Sequence, residues 1–349
     1  MGDILHALPA ITALRAAHPE WQIGWVIDPR WRALLRAGNE ATREQGNKGE
    51  EGRTTEQPLV DALHFAPVKE WGRRPLTVQT VRELAALRRE LREARYQAVL
   101  DLQGAIRSAI IARMAGAKRV IGEMHPRERA ARRLFTERIR THGAHVIEQD
   151  VELASAIAGD ALHFSAPLLP VNPAAEAWAN TLLRTAAGRP VALLTPGAGW
   201  GAKRWPPECY AEVARKLTAR GMFVLVNSGP GEEMLARAIE EGSGGGAQPV
   251  TASLDELIAL TRRIALCIGG DTGPLHLACA LARPVVGIYG PTDPSRNGPY
   301  GTRFAVLRNP LSRRDHSRRA EPEAGLLTIS PEDVLHSAES LLSGENSQR

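Results

Sequence analysis

The sequence predicts an α/β protein of two domains, each a parallel sheet with helices packed on its faces, and three observations predict it. The chain has 349 residues, beyond the size at which one hydrophobic core usually stops growing, so it divides in two. Short β-branched apolar runs alternate with longer segments of helical period through both halves, the pattern of helices on parallel sheets. Glycine- and proline-marked turns follow the apolar runs of the second half, where open parallel sheets bind ligands.

In the first half the chain enters a helical pattern at once, over residues 4–17. Strands follow at 22–27, 60–65, 98–102 and near Val120, with helices at 78–92 and 105–115. Residues 38–58, rich in Gly, Glu, Asn and Thr without periodicity, read as a surface loop. Prolines at 167, 170 and 173 mark a linker, which places an N-terminal domain at 1–165 and a C-terminal one at 166–349. The second half shows strands at 191–195, 223–227, 266–268 and 285–289, with helices at 207–220, 232–241 and 254–261. Ser330-Pro331-Glu332 starts a last helix reaching about Leu342, free on this evidence to cross back onto the first domain.

A domain of this kind normally opens with a buried central strand, and that first strand is missing from the pattern here. Its loss strips hydrogen bonds and apolar cover from two neighbours, a large penalty against a native stability of ~5–15 kcal/mol. The expectation is that the coding sequence continues upstream of Met1.

Composition excludes several classes. The chain is 43% apolar and 24% charged, as soluble globular proteins are, and no apolar run approaches the ~20 residues of a spanning helix. No basic-then-apolar leader opens the sequence, so the cytoplasm is expected. Cys209, Cys267 and Cys279 show no paired spacing and read as small hydrophobes, with no metal site. The net charge of +5 is uneven: residues 113–140 hold nine Lys or Arg against three Glu. That stretch is either a solvated face or a patch for an anionic partner; with no nucleic-acid motif beside it, nucleic acid ranks last.

Three segments of the second half carry the chemistry. At 266–278 a strand runs through Gly269-Gly270 into Asp271-Thr272-Gly273-Pro274-Leu275-His276. Pro274 and a capping Thr272 open a helix there, whose unpaired N–H groups and positive dipole end suit a pyrophosphate. Gly273 lets the backbone come close to a phosphate. At 195–206, Thr195 leads through glycines to Lys203-Arg204-Trp205-Pro206, which sets backbone donors beside a cation. At 226–233, Ser228-Gly229-Pro230-Gly231 precedes Glu232 and Glu233, acids able to accept from ribose hydroxyls or simply favourable at a helix start. In the first half, Gly2-Asp3-Ile4-Leu5-His6 stands at the entrance of the first helix, on the side expected to face the second domain. Asp3 there is a helix cap or a general base for an acceptor hydroxyl. Asp101-Leu102-Gln103-Gly104 follows another strand.

At these residues the sequence resembles the heptosyltransferase family, the ADP-heptose:lipopolysaccharide transferases of glycosyltransferase family 9. The marks are Gly2-Asp3-Ile4-Leu5-His6-Ala7-Leu8-Pro9, Asp101-Leu102-Gln103-Gly104, Lys203-Arg204-Trp205-Pro206, and Asp271 to His276 followed by Tyr289-Gly290-Pro291-Thr292-Asp293-Pro294. The resemblance implies a GT-B fold, two Rossmann-like domains with parallel sheets facing across a cleft, the donor held in the C-terminal one, and inverting transfer of heptose from ADP-heptose to a Kdo–lipid A-like inner-core acceptor without a bound metal or cofactor. By position, Asp3 corresponds to the general base and Lys203 to the donor-phosphate lysine. Thr272 and Gly273 would meet the pyrophosphate, Asp271 the donor sugar, with His276 supporting the pocket. Glu233 matches the ribose-binding acid, with Glu232 the alternative, and Thr195 opens the phosphate-side loop, where Pro196 replaces a second hydroxyl. His6, Gln103 and Arg119 are assigned to the acceptor side. The partner implied is an anionic glycolipid at the inner membrane surface, approached peripherally by a monomer. Two other readings stay open: a nucleotide-sugar epimerase or hydrolase on the same scaffold, and a nucleotide-sugar-binding protein without turnover.

Overall fold

The protein is seen here in a computed structural model that describes residues 1–36, 58–75, 77–313 and 320–344. Residues 38–57 of the loop read from the sequence lie outside them. The chain forms two compact units, His6–Pro170 and Val171–Arg349, and Met1–Leu5 clusters with the second.

In the first unit, α1 (Gly2–Ala17) leads to β1 (Gly24–Ile27), which pairs in parallel with β2 (Ala62–Phe65), Gly24 opposite Ala62. Next come α2 (Val68–Arg73), α3 (Val78–Glu93), β3 (Ala98–Asp101), α4 (Ile106–Met114), β4 (Arg119–Glu123), β5 (Glu137–Ile139) and α5 (Val146–Ala158). Helix α3 starts where it does because the Thr77 hydroxyl oxygen accepts from the Thr80 N–H, closing one of the donors a helix start leaves open. Strands β3, β4 and β5 form a second parallel sheet in that order, and among the described residues no strand joins it to β1–β2. Three of the four residues in β1 and in β3 are only partly buried. Small residues bring α1 and α5 together beside β3, where Ala10, Val151 and Ala154 pack with Leu100.

The second unit holds α6 (Pro173–Leu183), β6 (Val191–Thr195), α7 (Pro207–Ala219), β7 (Phe223–Asn227), α8 (Glu233–Gly242), β8 (Ala247–Val250), α9 (Leu254–Thr261), β9 (Leu266–Gly270), α10 (Gly273–Ala280), β10 (Val285–Tyr289), α11 (Pro294–Asn297), β11 (Phe304–Arg308) and α12 (Pro331–Ser343). Its single parallel sheet runs β11-β10-β9-β6-β7-β8. Strands β6, β7, β9 and β10 are buried at every residue, as expected of inner strands covered on both faces. The chain winds outward from β6 to β8, then returns to the other side of β6 to begin β9. The strand order therefore reverses between β6 and β9, the place where such sheets leave a crevice at their carboxyl ends.

The last helix packs into the core of the second unit. Val334, Leu335, Ala338 and Leu341 of α12 are buried in one core with Trp205, Leu217, Val286 and Ile288, so its apolar face is covered there. Three strands that the sequence pattern does not reveal, β5, β8 and β11, are all sheet edges.

Candidate functional site

The site grows from the two strands at the reversal. Beyond β9, Asp271 sits nearly buried between the side chains of Lys203 and His276. Its Oδ2 accepts from Lys203 Nζ at 2.5 Å, and its Oδ1 lies 2.9 Å from His276 Nε2, one turn into α10. The side chains of Asp271, Lys203 and His276 are 9%, 11% and 5% exposed. Burial alone would push the Asp271 carboxyl up, but the hydrogen bond and charge of His276, joined by the Lys203 ammonium, hold it well below the ordinary carboxylate range. Lys203 also lies over the Trp200 ring, 4.4 Å from its centroid. Here the structure brings together three of the residues the sequence singled out.

That arrangement predicts an acid dependence. A carboxyl whose folded pKa is depressed adds stability above its unfolded value, about 4, and loses it as pH falls further towards the folded value. Stability measured by urea unfolding is expected to decline below about pH 4, and Asp271→Asn to flatten that limb.

Thr272 precedes α10 in extended backbone, yet its hydroxyl makes no cap bond and is buried without a partner. The capping expected of it is not made, and the first-turn N–H groups of α10 keep no side-chain acceptor from this residue. Gly273 is closely packed: a Cβ there would meet the Met1 side chain at 2.5 Å. Gly2 lies against the His276 ring, a Cβ there 3.6 Å from its Cδ2. The first turn of α1, which carries Asp3, thus belongs with this end of the second unit.

Two donor-side expectations change. Thr195 is 2% exposed and its hydroxyl donates to the Ile268 carbonyl at 3.4 Å, over Gly269, where any Cβ would collide with it. Its hydroxyl ties β6 to β9. Of the two acids, Glu232 and not Glu233 turns towards the 195–203 loop. Glu232 Oε2 accepts from the Gly229 N–H at 3.0 Å, and a Cβ on Gly197 would stand 2.1 Å from it. Glu233 is exposed and accepts only locally, from the Gly231 N–H. The φ of +84° at Gly231 turns the chain just before both acids, and spacing from Gly229 could not have separated the two.

In the first unit, Asp101 is 5% exposed and its Oδ1 accepts from the N–H groups of Gln103 and Gly104 and, with Oδ2, from the Ser108 hydroxyl. It shapes the turn that presents Gln103. His6 is buried edge-on to His145, ring centroids 5.9 Å apart; His145 and Glu148 form the capping box of α5. Arg119 is set apart from Asp101 and Gln103 along the sheet. It stands at the amino end of β4, opposite Ala98, and pairs two-pronged with Glu137 of β5, whereas Asp101 and Gln103 lie at the carboxyl end. Among the described residues no three His, Cys, Asp or Glu side chains gather as a metal site.

Known proteins are similar to this chain in sequence and fold. Residues 84–326 match the glycosyltransferase family 9 (heptosyltransferase) family. The chain is 28% identical over 321 residues to lipopolysaccharide heptosyltransferase 1 of Escherichia coli K12, covering 89% of this chain and 91% of that one. It is 32% identical over 168 residues to lipopolysaccharide heptosyltransferase 2 of Salmonella typhimurium, 45% of this chain and 48% of that one. Among solved structures, the glycosyl transferase family 9 protein of Veillonella parvula superposes with a TM-score of 0.78 at 22% identity over 99% of this chain and 95% of that one. The E. coli heptosyltransferase WaaC with ADP gives 0.74 at 24% identity, over 98% and 97%. These likenesses carry the GT-B fold, and the matched stretch spans both units. The chain belongs to glycosyltransferase family 9, the heptosyltransferases, and is a transferase.

Proposed function

We propose that this transferase moves a heptose from ADP-heptose to the inner core of lipopolysaccharide, inverting the anomeric centre. The observation that carries the reading is the Lys203–Asp271–His276 cluster at the opening of α10, on the carboxyl side of the strand reversal. A diphosphate there would meet the first-turn N–H groups and dipole of α10 together with the Lys203 ammonium, which stabilise charge developing on the leaving ADP. Glu232 would take the ribose hydroxyls. Asp3 would accept the proton of the attacking acceptor hydroxyl, so bond formation and proton removal are concerted. No protein-bound metal has a step in this scheme. The relatives named above, lipopolysaccharide heptosyltransferases, support the choice of donor and acceptor. ADP release from ADP-heptose tests it: release only when a Kdo–lipid A acceptor is added is expected, in EDTA as without it. Release without acceptor would favour hydrolysis, and binding without turnover would leave a nucleotide-sugar-binding protein.

The acceptor's membrane is approached peripherally in this reading, and the first unit supplies a fitting face. No helix among the described residues is long and apolar enough to cross a membrane. Ile106 and Ile110, four apart on α4, are 40% and 49% exposed. The adjoining 3-10 turn, Arg129–Leu134, exposes Arg129, Arg132 and Arg133. Juxtamembrane cations are each worth about 1 kcal/mol at an anionic surface. Replacing these three arginines with alanine is therefore expected to abolish co-flotation with anionic vesicles. Unchanged flotation, or equal binding to zwitterionic vesicles, would exclude this face.

A further inference from the structure

Lys203 stands on a short 3-10 turn, Gly201–Lys203, one side of which is backed by Gly270 at the end of β9, where a Cβ would stand 3.2 Å from the Lys203 carbonyl oxygen. Against it also lies a later part of the same unit. The Ala202 carbonyl accepts from the Glu323 N–H at 3.2 Å. A Cβ on Gly201 would stand 1.5 Å from the Ala320 carbonyl oxygen, a backbone atom that cannot swing aside as a flexible side chain would. Gly201 does not have a positive φ, so glycine is required there by close approach and not by backbone conformation.

The segment that presses on the turn is itself pinned. Glu323 Oε2 accepts from the Ser312 hydroxyl at 2.9 Å and from the Leu326 N–H at 3.2 Å, with Ser312 7% exposed. Leu326 is fully buried in the core that holds Trp205, and the Trp205 indole N–H donates to the Ile329 carbonyl at 3.1 Å. Residues 320–329 therefore run along residues 201–205, joined to them at 202 and 205 and excluding any side chain at 201.

We propose that Gly201 and Glu323 are positioning residues for Lys203: the pinned 320–326 segment clamps the 201–203 turn so that the ammonium is held beside Asp271 at the donor end of the sheet. The consequence for donor binding rests on the reading of Lys203 as the donor-phosphate cation; the clamp itself does not. A cation misplaced by about an ångström forfeits much of its worth to a bound phosphate.

Two variants and two readouts test this. Gly201→Ala forces the turn away from Ala320. Glu323→Ala takes the carboxylate from the Ser312 hydroxyl and leaves the Leu326 N–H only its bond to the Glu323 carbonyl, while Glu323→Gln keeps a side-chain oxygen for both and is the rescue. In folded protein, checked by circular dichroism, both disrupting variants are expected to raise the donor KM on the order of tenfold, leaving the acceptor KM unchanged. They are also expected to raise the rate at which an acylating reagent labels Lys203, measured by peptide mass spectrometry against Lys118, on the same order. Glu323→Gln restores both. If Gly201→Ala does not fold, Glu323→Ala decides. Unchanged labelling of Lys203 in folded Glu323→Ala overturns the clamp. Faster labelling with an unchanged donor KM supports the clamp and instead removes Lys203 from donor binding.

Discussion

Asp3→Ala is expected to lower heptosyl transfer by a factor of about 10²–10⁴, the usual worth of a positioned general base, while ADP binds as in the wild type. Asp3 lies in the first turn of α1 and is exposed, so removing it opens no cavity. A cap or dipole role alone would cost at most about 1 kcal/mol of stability and would leave turnover intact. The two roles therefore separate cleanly when turnover and melting temperature are measured on the same preparation. Asp3→Asn keeps the shape and the polarity but not the basicity, and it should fall with the alanine variant. Wild-type turnover in either variant would remove Asp3 from the chemistry.

Lys203→Ala is expected to act on both binding and folding. Losing one or two charge-assisted hydrogen bonds to the diphosphate raises the donor KM by about 10–100-fold. It also leaves Asp271 ionised and nearly buried, still bonded to His276. Breaking a buried pair costs about 3–5 kcal/mol, and the retained histidine points to the lower end of that range. Adding Asp271→Asn should restore much of the stability, since the uncompensated charge is gone, but none of the donor affinity. Full recovery of affinity in the double variant would show that Lys203 serves only to neutralise Asp271. Chemical denaturation and ADP titration of the four proteins complete the cycle.

The inner strands of the second unit were legible because each is a continuous apolar run covered on both faces, and the observed β6, β7 and β10 have the bounds expected. The edge strands β5 and β8 were not. Glu137-Arg138-Ile139 and Ala247-Gln248-Pro249-Val250 carry charge, polarity or proline, as edges do to avoid pairing further, and such segments leave little periodic signal. Helix starts were legible where a capping residue and its partner lie three apart, as Ser330 and Asp333 do. Arg119 shows the opposite case. Nothing in a basic stretch tells which end of a strand an arginine occupies, and its partner Glu137 is 18 residues away.

By itself the sequence determined the α/β class, the division into two parallel-sheet units, the three turn segments of the donor side and the family. Those depend on composition, period and short motifs, in which each residue is read against neighbours a few positions away. Only the tertiary structure decided that Asp271 draws in Lys203 from 68 residues away, that Glu232 turns inward in place of Glu233, that the Thr195 hydroxyl is spent on β9, and that Gly201 is backed by Ala320. Each of those follows from which strand ends stand side by side. The return of the chain from β8 to β9 sets that order, and a crossover's destination leaves no mark in local pattern.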